Sequence, residues 1–385
     1  MSQHHTCPVC RGSGRPLLSM PDQAIYQHPV PADALVAPPY TVDLSWVSCT
    51  DCAHGWQPDY DEKVLENIYR SHYYTPAPGG IALQFRNDFL AAIERFGIIT
   101  DRRALLEIGA SDGDVLCELR TRTGSAHAYA FEPNQENAAV ARQRGLEVYE
   151  RFFGADVARD GLEAAGLVYA RHVIEHIFDF DDFFAGLNAV ATADADLVLE
   201  TPSLDFHARE SSLAPFHIEH VHVFGLRSLA RLASRYGWGL MRNEVTADGN
   251  LIAWFRQGVQ RPEPPPPVLD GLQRSISERQ RQWRQITAGR RLVFWGAGST
   301  GVALVQMLGR EPDFWTDGNP NKVGKKFLGL TSRIVTPAEA LAAAAQDRTG
   351  RPLLVIASSF AREILPRVRE LGWTGEIRDM NMQAC

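Results

Sequence analysis

The stretch "LLEIGASDGDVL" at residues 105–116 predicts a strand, a glycine turn and a helix in direct succession. Gly109 and Gly113 let the backbone of the turn approach a ligand, and a helix that begins near Val115 presents free N–H groups there. The next apolar run, "AYAF", ends at Glu132, whose carboxylate can accept hydrogen bonds from both hydroxyls of a ribose. This spacing predicts a nucleotide site without identifying the nucleotide, and a glycine turn without a ligand is the alternative.

Short β-rich runs alternate with helical stretches on both sides of this turn. The runs are "ALLEIGA", "HAYAFEP", "GLVYARH" and "DLVLETP", and their alternation favours a parallel, doubly wound α/β sheet. The proline run at 263–267 indicates a stiff linker, and a second α/β series follows it. We therefore predict three parts, residues 1–65, 66–262 and 268–385, with Rossmann-like cores in the second and third.

The composition is that of a soluble globular protein: 385 residues, 45% hydrophobic and 22% charged. A net charge of -7 gives no sign of a surface for nucleic acid or a membrane. Neither a signal peptide nor an apolar run of about 18 residues, the length of a membrane span, is visible. We expect a cytoplasmic monomer or homodimer that acts on a small molecule.

Four of the 6 cysteines stand in two C-x-x-C pairs near the N-terminus. Disulfides are rare in a reducing compartment, so Cys7, Cys10, Cys49 and Cys52 are predicted to place four thiolates around Zn²⁺. A closed four-thiolate site leaves no position for water, and the predicted role is structural. Thioredoxin-like redox pairs and unliganded thiols are the alternatives.

A second glycine turn, "WGAGSTG", follows a strand in the third part of the chain. Gly296, Gly298 and Gly301 match G-x-G-x-x-G, and Asp317 follows Gly301 by 16 residues. The pattern favours either a dinucleotide site or a Rossmann-like domain that is vestigial or binds substrate. Both interpretations stay open.

Several motifs together carry a resemblance to a family. "EIGASDG", "FEPN" and "ARHVIEHIFDFDDFF" resemble the S-adenosylmethionine-binding motifs of class I methyltransferases. The order of the four cysteines, this core, "FHIEHVHVF", "GAGSTG" and "DGNPNKVGKKFLG" resembles the three-domain, zinc-containing sugar C-methyltransferases. Those enzymes act on nucleotide-linked 4-keto-deoxysugars in bacterial antibiotic and polysaccharide pathways. The resemblance covers nearly the whole chain and implies S-adenosyl-L-methionine, structural Zn²⁺ and a nucleotide-sugar substrate.

The resemblance also assigns roles to individual residues. At the acceptor, Glu219 and His220 match a Glu-His pair thought to carry the base, and His176 faces the substrate side. The family places two tyrosines against cofactor and substrate, and they match Tyr73 and Tyr74. The cofactor motifs match Glu107, Gly109, Ser111, Asp112, Gly113, Glu132, Pro133, Ala170, Arg171 and His172.

The chain departs from the family at two places near the presumed acceptor. His217 stands where a tyrosine is common, and Asp248, Gly249 and Asn250 replace a Gly-Gly-Ser stretch. Because of these departures, the alternative that the protein is an O- or N-methyltransferase acting on another small metabolite stays open. A protein whose third part binds NAD(P) is a further alternative.

Methylation of a carbon beside a ketone needs a base for the acidic proton and a donor for the enolate oxygen. An unperturbed histidine titrates near pH 6.5, which suits the base. We expect His220 to be that base, Glu219 to orient a histidine, and His176 or His217 to be the donor. A metal site at His217, His220 and His222 is the alternative for this segment.

Overall fold

A computed structural model of the protein describes residues 5–35, 38–63, 81–98, 103–267, 269–346, 351–358, 361–380 and 382–385. Tyr73 and Tyr74, expected at the cofactor and substrate, lie outside these residues, and so do the predicted domain boundaries near 65 and 268. Among the helices described, none has the length and apolar character needed to cross a membrane.

The first part of the chain forms most of a small antiparallel sheet beside the paired cysteines. Its strands are, in sheet order, β1 (Gly14–Ala24), β2 (Thr41–Cys49), β3 (Gly55–Trp56) and β9 (His222–Val223). The fourth strand comes from the middle of the chain, so the predicted first part is completed by a segment of the second.

The middle of the chain forms a seven-stranded sheet. In sheet order its strands are β10 (Trp238–Val245), β11 (Asn250–Gln257), β8 (Ala191–Pro202), β7 (Ala165–Arg171), β4 (Ala104–Ile108), β5 (Ala128–Phe131) and β6 (Glu147–Tyr149). Its helices are α1 (Ile81–Phe96), α2 (Asp114–Thr123), α3 (Gln135–Gln143), α4 (Phe180–Val190), α5 (Leu204–Arg209) and α6 (Leu226–Arg235).

Both faces of this sheet are covered, which explains the continuous apolar run in β4. Leu106 and Ile108 point into a core that includes Phe183 and Trp238, whereas Leu105 points into the core on the other face. Parallel strands that are buried on both faces have such unbroken apolar sequences.

The sheet is mixed, and the prediction of a parallel sheet holds for five of its strands. β4 to β8 run parallel, but β11 is antiparallel to β8 and to β10. A tight turn at Thr246–Gly249 joins β10 to β11, with Gly249 at φ 88°, and a parallel connection would need a crossover of a dozen residues or more.

The strand order places a crevice at the carboxyl end of β4. From β4 the chain first adds β5 and β6 on one side and then crosses to β7 on the other. Loops that leave neighbouring strands in opposite directions open a crevice there, where ligands bind in open α/β sheets.

The last part of the chain is a five-stranded parallel sheet. Its strands are β14 (Ile334–Val335), β13 (Phe314–Thr316), β12 (Leu292–Trp295), β15 (Leu353–Ile356) and β16 (Glu376–Asp379). Its helices are α7 (Leu272–Thr287), α8 (Ser299–Leu308), α9 (Pro337–Ala345) and α10 (Ala361–Glu370).

One hydrophobic core joins the first and last parts. Leu18 and Trp46 from the small sheet share it with Trp283 and Trp315, and Phe216 packs edge-on against Trp46 at 5.2 Å between ring centroids. The segment around Phe216 is therefore held by a core outside its own sheet.

Asp196 in β8 gives a test of how the central sheet is held together. Its buried carboxylate accepts hydrogen bonds from Trp254 (2.7 Å), Arg256 (2.9 Å) and Arg103 (3.3 Å). Because an amide nitrogen cannot accept, Asp196→Asn should lower the free energy of unfolding by about 1–3 kcal/mol, measured by urea unfolding. The exposed Asp194→Asn should change it by less than about 0.5 kcal/mol, and equal effects would contradict this role.

Candidate active site

The turn after β4 needs glycine at two positions. Gly109 and Gly113 have φ of 73° and 75°. A Cβ on Gly109 would lie 2.5 Å from Val173 Cγ2, and one on Gly113 would lie 2.4 Å from Leu146 Cδ1. Both the left-handed backbone and the close packing exclude larger residues, and the groups that the two glycines approach are side chains of the protein itself.

Glu132 holds this turn from the end of β5. Its carboxylate accepts hydrogen bonds from the backbone N–H of Ser111 at 2.8 Å and of Asn134 at 2.7 Å. Each carboxylate oxygen has a further lone pair for a ligand hydroxyl. Burial raises the pKa of Glu132, and the two N–H donors oppose that rise. Its neighbour Pro133 is exposed.

Beneath the turn lies a second buried carboxylate. Glu107 in β4 accepts a hydrogen bond from the Tyr169 hydroxyl at 3.0 Å. Burial raises the pKa of Glu107 to about 8, although the Arg171 guanidinium lowers it. Asp112, in the turn itself, instead faces outward and accepts from Arg144 at 2.7 Å.

The carboxyl end of β7 brings two predicted residues to the crevice, next to the buried Ala170. The Arg171 guanidinium donates to Glu200 at 2.6 Å and lies 4.8 Å above the Phe89 ring. His172 has φ 51°, and strained conformations of this kind cluster at functional sites. Its Nδ1 lies 3.3 Å from Oε1 of Glu175. Burial lowers the pKa of His172, but Glu175 and Glu200 raise it above the usual value.

Residues 215–222 are here called the histidine loop. A hydrogen bond within this loop fixes the tautomer of His220. Nδ1 of His220 lies 2.9 Å from the Pro215 carbonyl oxygen, so this nitrogen carries the proton and donates it. Nε2 is therefore the basic nitrogen, and it lies 4.0 Å from Oε1 of Glu175. Burial and the neighbouring imidazoles lower the pKa of His220 well below its usual value, which keeps the ring neutral.

His176 and His217 both lie against His220. Ring centroids are 5.0 Å apart for His176 and 3.8 Å apart for His217. Nδ1 of His176 donates to the Glu219 carbonyl oxygen at 2.6 Å. Burial lowers the pKa of His217 to about 3. The structure thus brings the three histidines into one cluster, as the sequence predicts.

The Glu219 carboxylate occupies a different place from the one expected. It lies 4.0 Å from His28 Nε2, and Glu219 contacts the cluster through its backbone, whose carbonyl accepts from His176 and whose N–H donates to His217 Nδ1 at 3.4 Å. Glu175 provides the carboxylate beside His220 instead. Sequence reasoning missed Glu175, although it stands between two histidines in "RHVIEHI".

His222 is separate from this cluster. Its Nε2 donates to the Ile177 carbonyl at 3.0 Å, and its Nδ1 lies 3.0 Å from His54 Nε2 in the small sheet. The metal site suggested for His217, His220 and His222 is therefore not the arrangement that forms.

Several buried polar atoms around the crevice have no hydrogen-bond partner among the described residues. Such atoms are rare in folded proteins and mark places where a ligand or water completes the site. They are Glu175 Oε1 and Oε2, Glu200 Oε1, Thr201 Oγ1, His172 Nε2 and Asn250 Nδ2. Asp248 belongs with Asn250 to the stretch that differs from the family pattern, and its carboxylate accepts a hydrogen bond from the Gln84 side chain at 2.6 Å.

The four predicted cysteines come together at one end of the small sheet. Their Sγ atoms all lie within 4.8 Å of one another, with 3.7 Å between Cys7 and Cys52 and 3.3 Å between Cys10 and Cys49. Tetrahedral Zn–S bonds of about 2.3 Å place sulfur atoms about 3.8 Å apart, so the spacing fits this ion. Burial raises the pKa of Cys49 to about 11, a rise that a bound cation would reverse.

In the last sheet, Asp317 repeats the geometry of Glu132. It accepts hydrogen bonds from the N–H of Ala297 (2.7 Å) and of Asn319 (2.9 Å). The Lys322 ammonium also lies 3.0 Å from this carboxylate and donates to the Ala297 carbonyl. The lysine therefore neutralises the acid that a nicotinamide cofactor would use to bind its ribose.

A comparison with known protein families matches the part of the chain that contains the turn after β4 and Glu132. Residues 82–242 match the family described as "Methyltransferase domain". No curated protein matches the chain.

Three solved structures resemble it at low identity. A magnesium protoporphyrin IX methyltransferase from Synechocystis with bound S-adenosylmethionine has 10% identity and a TM-score of 0.37, over 51% of this chain and 96% of that one. A S-adenosylmethionine-dependent methyltransferase from Aquifex aeolicus has 15% identity and a TM-score of 0.38, over 52% and 100%. A 1,6-didemethyltoxoflavin-N1-methyltransferase from Burkholderia thailandensis has 14% identity and a TM-score of 0.34, over 55% and 98%.

The family match therefore indicates a methyltransferase domain over residues 82–242. The predicted activity class is confirmed at this level. The acceptors named for the solved structures belong to those proteins alone.

Glu132 offers a direct test of the cofactor site. Glu132→Ala should weaken S-adenosylmethionine binding by about 1.5–3 kcal/mol in calorimetry, the order of a lost charged hydrogen bond. The exposed Glu136→Ala on α3 should bind normally. Because Glu132 also holds the turn, circular dichroism should show that each variant is folded. Unchanged affinity in a folded Glu132→Ala protein would mean that the ribose is bound elsewhere.

Proposed function

We propose that this protein is an S-adenosylmethionine-dependent C-methyltransferase that acts on a nucleotide-linked keto-deoxysugar and uses His220 as its base. The observation that carries the proposal is the fixed tautomer of His220. The basic nitrogen of His220 faces the buried carboxylate of Glu175. Glu175 lies in the turn that follows β7.

The cofactor would be held by groups at the carboxyl ends of β4 and β5. The narrow turn at Gly109 and Gly113 lets it approach the backbone, and Glu132 has lone pairs for the ribose. When bound, S-adenosylmethionine supplies an electrophilic methyl group. The chain's own task is then to position the acceptor and to remove its proton.

Proton removal falls to Nε2 of His220. Burial keeps the imidazole neutral, so this nitrogen has a free lone pair, although the lowered pKa also makes it a weaker base than a free imidazole. The resulting imidazolium would be stabilised by the Glu175 carboxylate at 4.0 Å. His217 is the candidate for donating a hydrogen bond to the enolate oxygen, because its ring contacts His220 and its Nδ1 accepts from Glu219 N–H, which leaves Nε2–H as a donor. His176, the other histidine expected in this role, already donates its Nδ1–H to Glu219 O.

The acceptor class is supported by the sequence order and by the polarity of the crevice. Glu200, Thr201 and Asn250 offer buried polar atoms that a sugar or a nucleotide could satisfy. The four cysteines suit structural Zn²⁺, because four soft thiolates at tetrahedral spacing leave no open position for a reactant. Asp317 and Lys322 favour a Rossmann-like domain without a nicotinamide cofactor.

The zinc assignment predicts one ion per chain in freshly purified protein. Cys49→Ser should lose the metal and unfold the small sheet, since metal binding and folding are coupled in such modules. Cys117→Ser, away from the cluster, should keep it. Elemental analysis and thiol titration measure both; little zinc together with four titratable thiols in the wild-type cluster would refute the assignment.

The base assignment predicts that His220→Ala lowers turnover by about 10²–10⁴-fold, the usual contribution of a positioned base. Binding of S-adenosylmethionine should be nearly unchanged, because Glu132 and the glycine turn are intact. Glu175→Gln should cost more turnover than Glu219→Gln, since the Glu175 carboxylate faces Nε2. His127→Ala, at an exposed site, is the matched control.

The same variants separate carbon from oxygen or nitrogen methylation. The wild-type protein should exchange the α-proton of a nucleotide-linked 4-keto-sugar with deuterated water, followed by NMR, and His220→Ala should not. Normal turnover in His220→Ala with loss in His176→Ala or His217→Ala would move the base to another histidine. If all three variants are active and no exchange occurs, the O- or N-methyl alternative is favoured.

A further inference from the structure

The candidate active site contains a set of groups that is typical of a metal centre. Glu175, His176 and His220 each bring one ligand atom to a common point, and these atoms lie within 4.8 Å of one another. Two imidazoles and one carboxylate are ligands for borderline divalent ions such as Zn²⁺, Co²⁺ and Fe²⁺. This set shares no residue with the four cysteines.

The two imidazoles are oriented by backbone carbonyls in the manner of metal ligands. Nδ1–H of His176 donates to Glu219 O at 2.6 Å, and Nδ1–H of His220 donates to Pro215 O at 2.9 Å. In metal sites the second ring nitrogen of a ligating histidine almost always donates to such an oxygen, which fixes the tautomer. Nε2 of each ring is left as the coordinating atom.

The carboxylate is the second, independent observation. Glu175 is 1% exposed, and both of its oxygens are buried without a hydrogen-bond partner among the described residues. Oε1 lies 3.3 Å from His172 Nδ1 and 4.0 Å from His220 Nε2. His172 is the nearest polar neighbour of this buried carboxylate, and a cation bound between Glu175 and the two ligand imidazoles would add a second positive charge beside it.

The distances allow coordination after a small movement. Metal–nitrogen and metal–oxygen bonds of about 2.0–2.2 Å place ligand atoms roughly 3–4 Å apart. The present separations must contract by about 1 Å, which side-chain rotation provides. Three protein ligands leave a coordination position open for water.

We propose that Glu175, His176 and His220 form a binding site for a divalent transition-metal ion, and that an ion in this site blocks methyl transfer. The proposal rests on the function given above, in which Nε2 of His220 is the base. The same lone pair cannot both coordinate a metal and accept a proton. Metal occupancy therefore inhibits the reaction, and bound acceptor and metal compete for one space.

The test uses the full-length protein with its cysteine cluster filled with zinc, titrated with Co²⁺. Equilibrium dialysis should find one further equivalent of metal. Its near-ultraviolet spectrum should lack the charge-transfer absorption that thiolate ligands produce. His220→Ala and Glu175→Gln should each weaken this binding by at least about 10-fold. Glu219→Gln should leave it unchanged, because Glu219 contacts His176 and His217 through its backbone carbonyl and N–H, which the substitution keeps.

Binding is measured without substrate, so its outcome is independent of the methylation chemistry. Absence of a second equivalent, a thiolate spectrum for that equivalent, or normal Co²⁺ affinity in His220→Ala would overturn the proposal. Turnover with and without Co²⁺ tests the inhibitory consequence. If His220→Ala loses the metal but retains turnover, the metal site stands and the base assignment falls.

Discussion

Three hydrogen bonds between the histidine loop and the turn after β7 determine the geometry of the candidate active site. Val221 N–H donates to Glu175 O at 2.9 Å, His176 Nδ1 donates to Glu219 O at 2.6 Å, and His222 Nε2 donates to Ile177 O at 3.0 Å. Each bond joins a group near the end of a central strand to a group in the loop. Because the bonds interlock, the imidazoles cannot move independently of the sheet edge, which is the rigidity that a positioned base requires.

The small N-terminal sheet holds the same loop from the other side. Gln57 donates to the carbonyl oxygens of His220 (2.7 Å) and Val221 (3.0 Å), and His54 bonds to His222. His54 and Gln57 follow Cys52 within five residues, so the cysteine cluster fixes the segment that presents them. A structural ion at the cysteines would therefore stabilise the active site without touching a reactant.

This arrangement carries an energetic cost. Glu107, Glu175 and Glu200 are all buried, and oxygens of Glu175 and Glu200 and the Nε2 of His172 have no hydrogen-bond partner among the described residues. Apolar residues of similar volume would make a more stable crevice, since a buried polar group without a partner costs about 1–3 kcal/mol. Proteins keep such polar groups where a bound ligand supplies the missing hydrogen bonds. In this crevice they lower the stability of the fold, which is typical of a functional site.

The sequence by itself determined the local features: the turn at Gly109 and Gly113, the position of Glu132 and the pairing of the cysteines. These follow from periodicity, from backbone freedom and from short spacings, all of which are local. Only the tertiary structure decided that β10 and β11 run antiparallel at the sheet's edge, that His222 joins His54, and that Glu175 rather than Glu219 faces His220. Neighbouring residues of one loop point in different directions once distant segments pack against them, and 168 residues separate the two paired histidines. No local pattern encodes such a contact, because it depends on the packing of several elements at once.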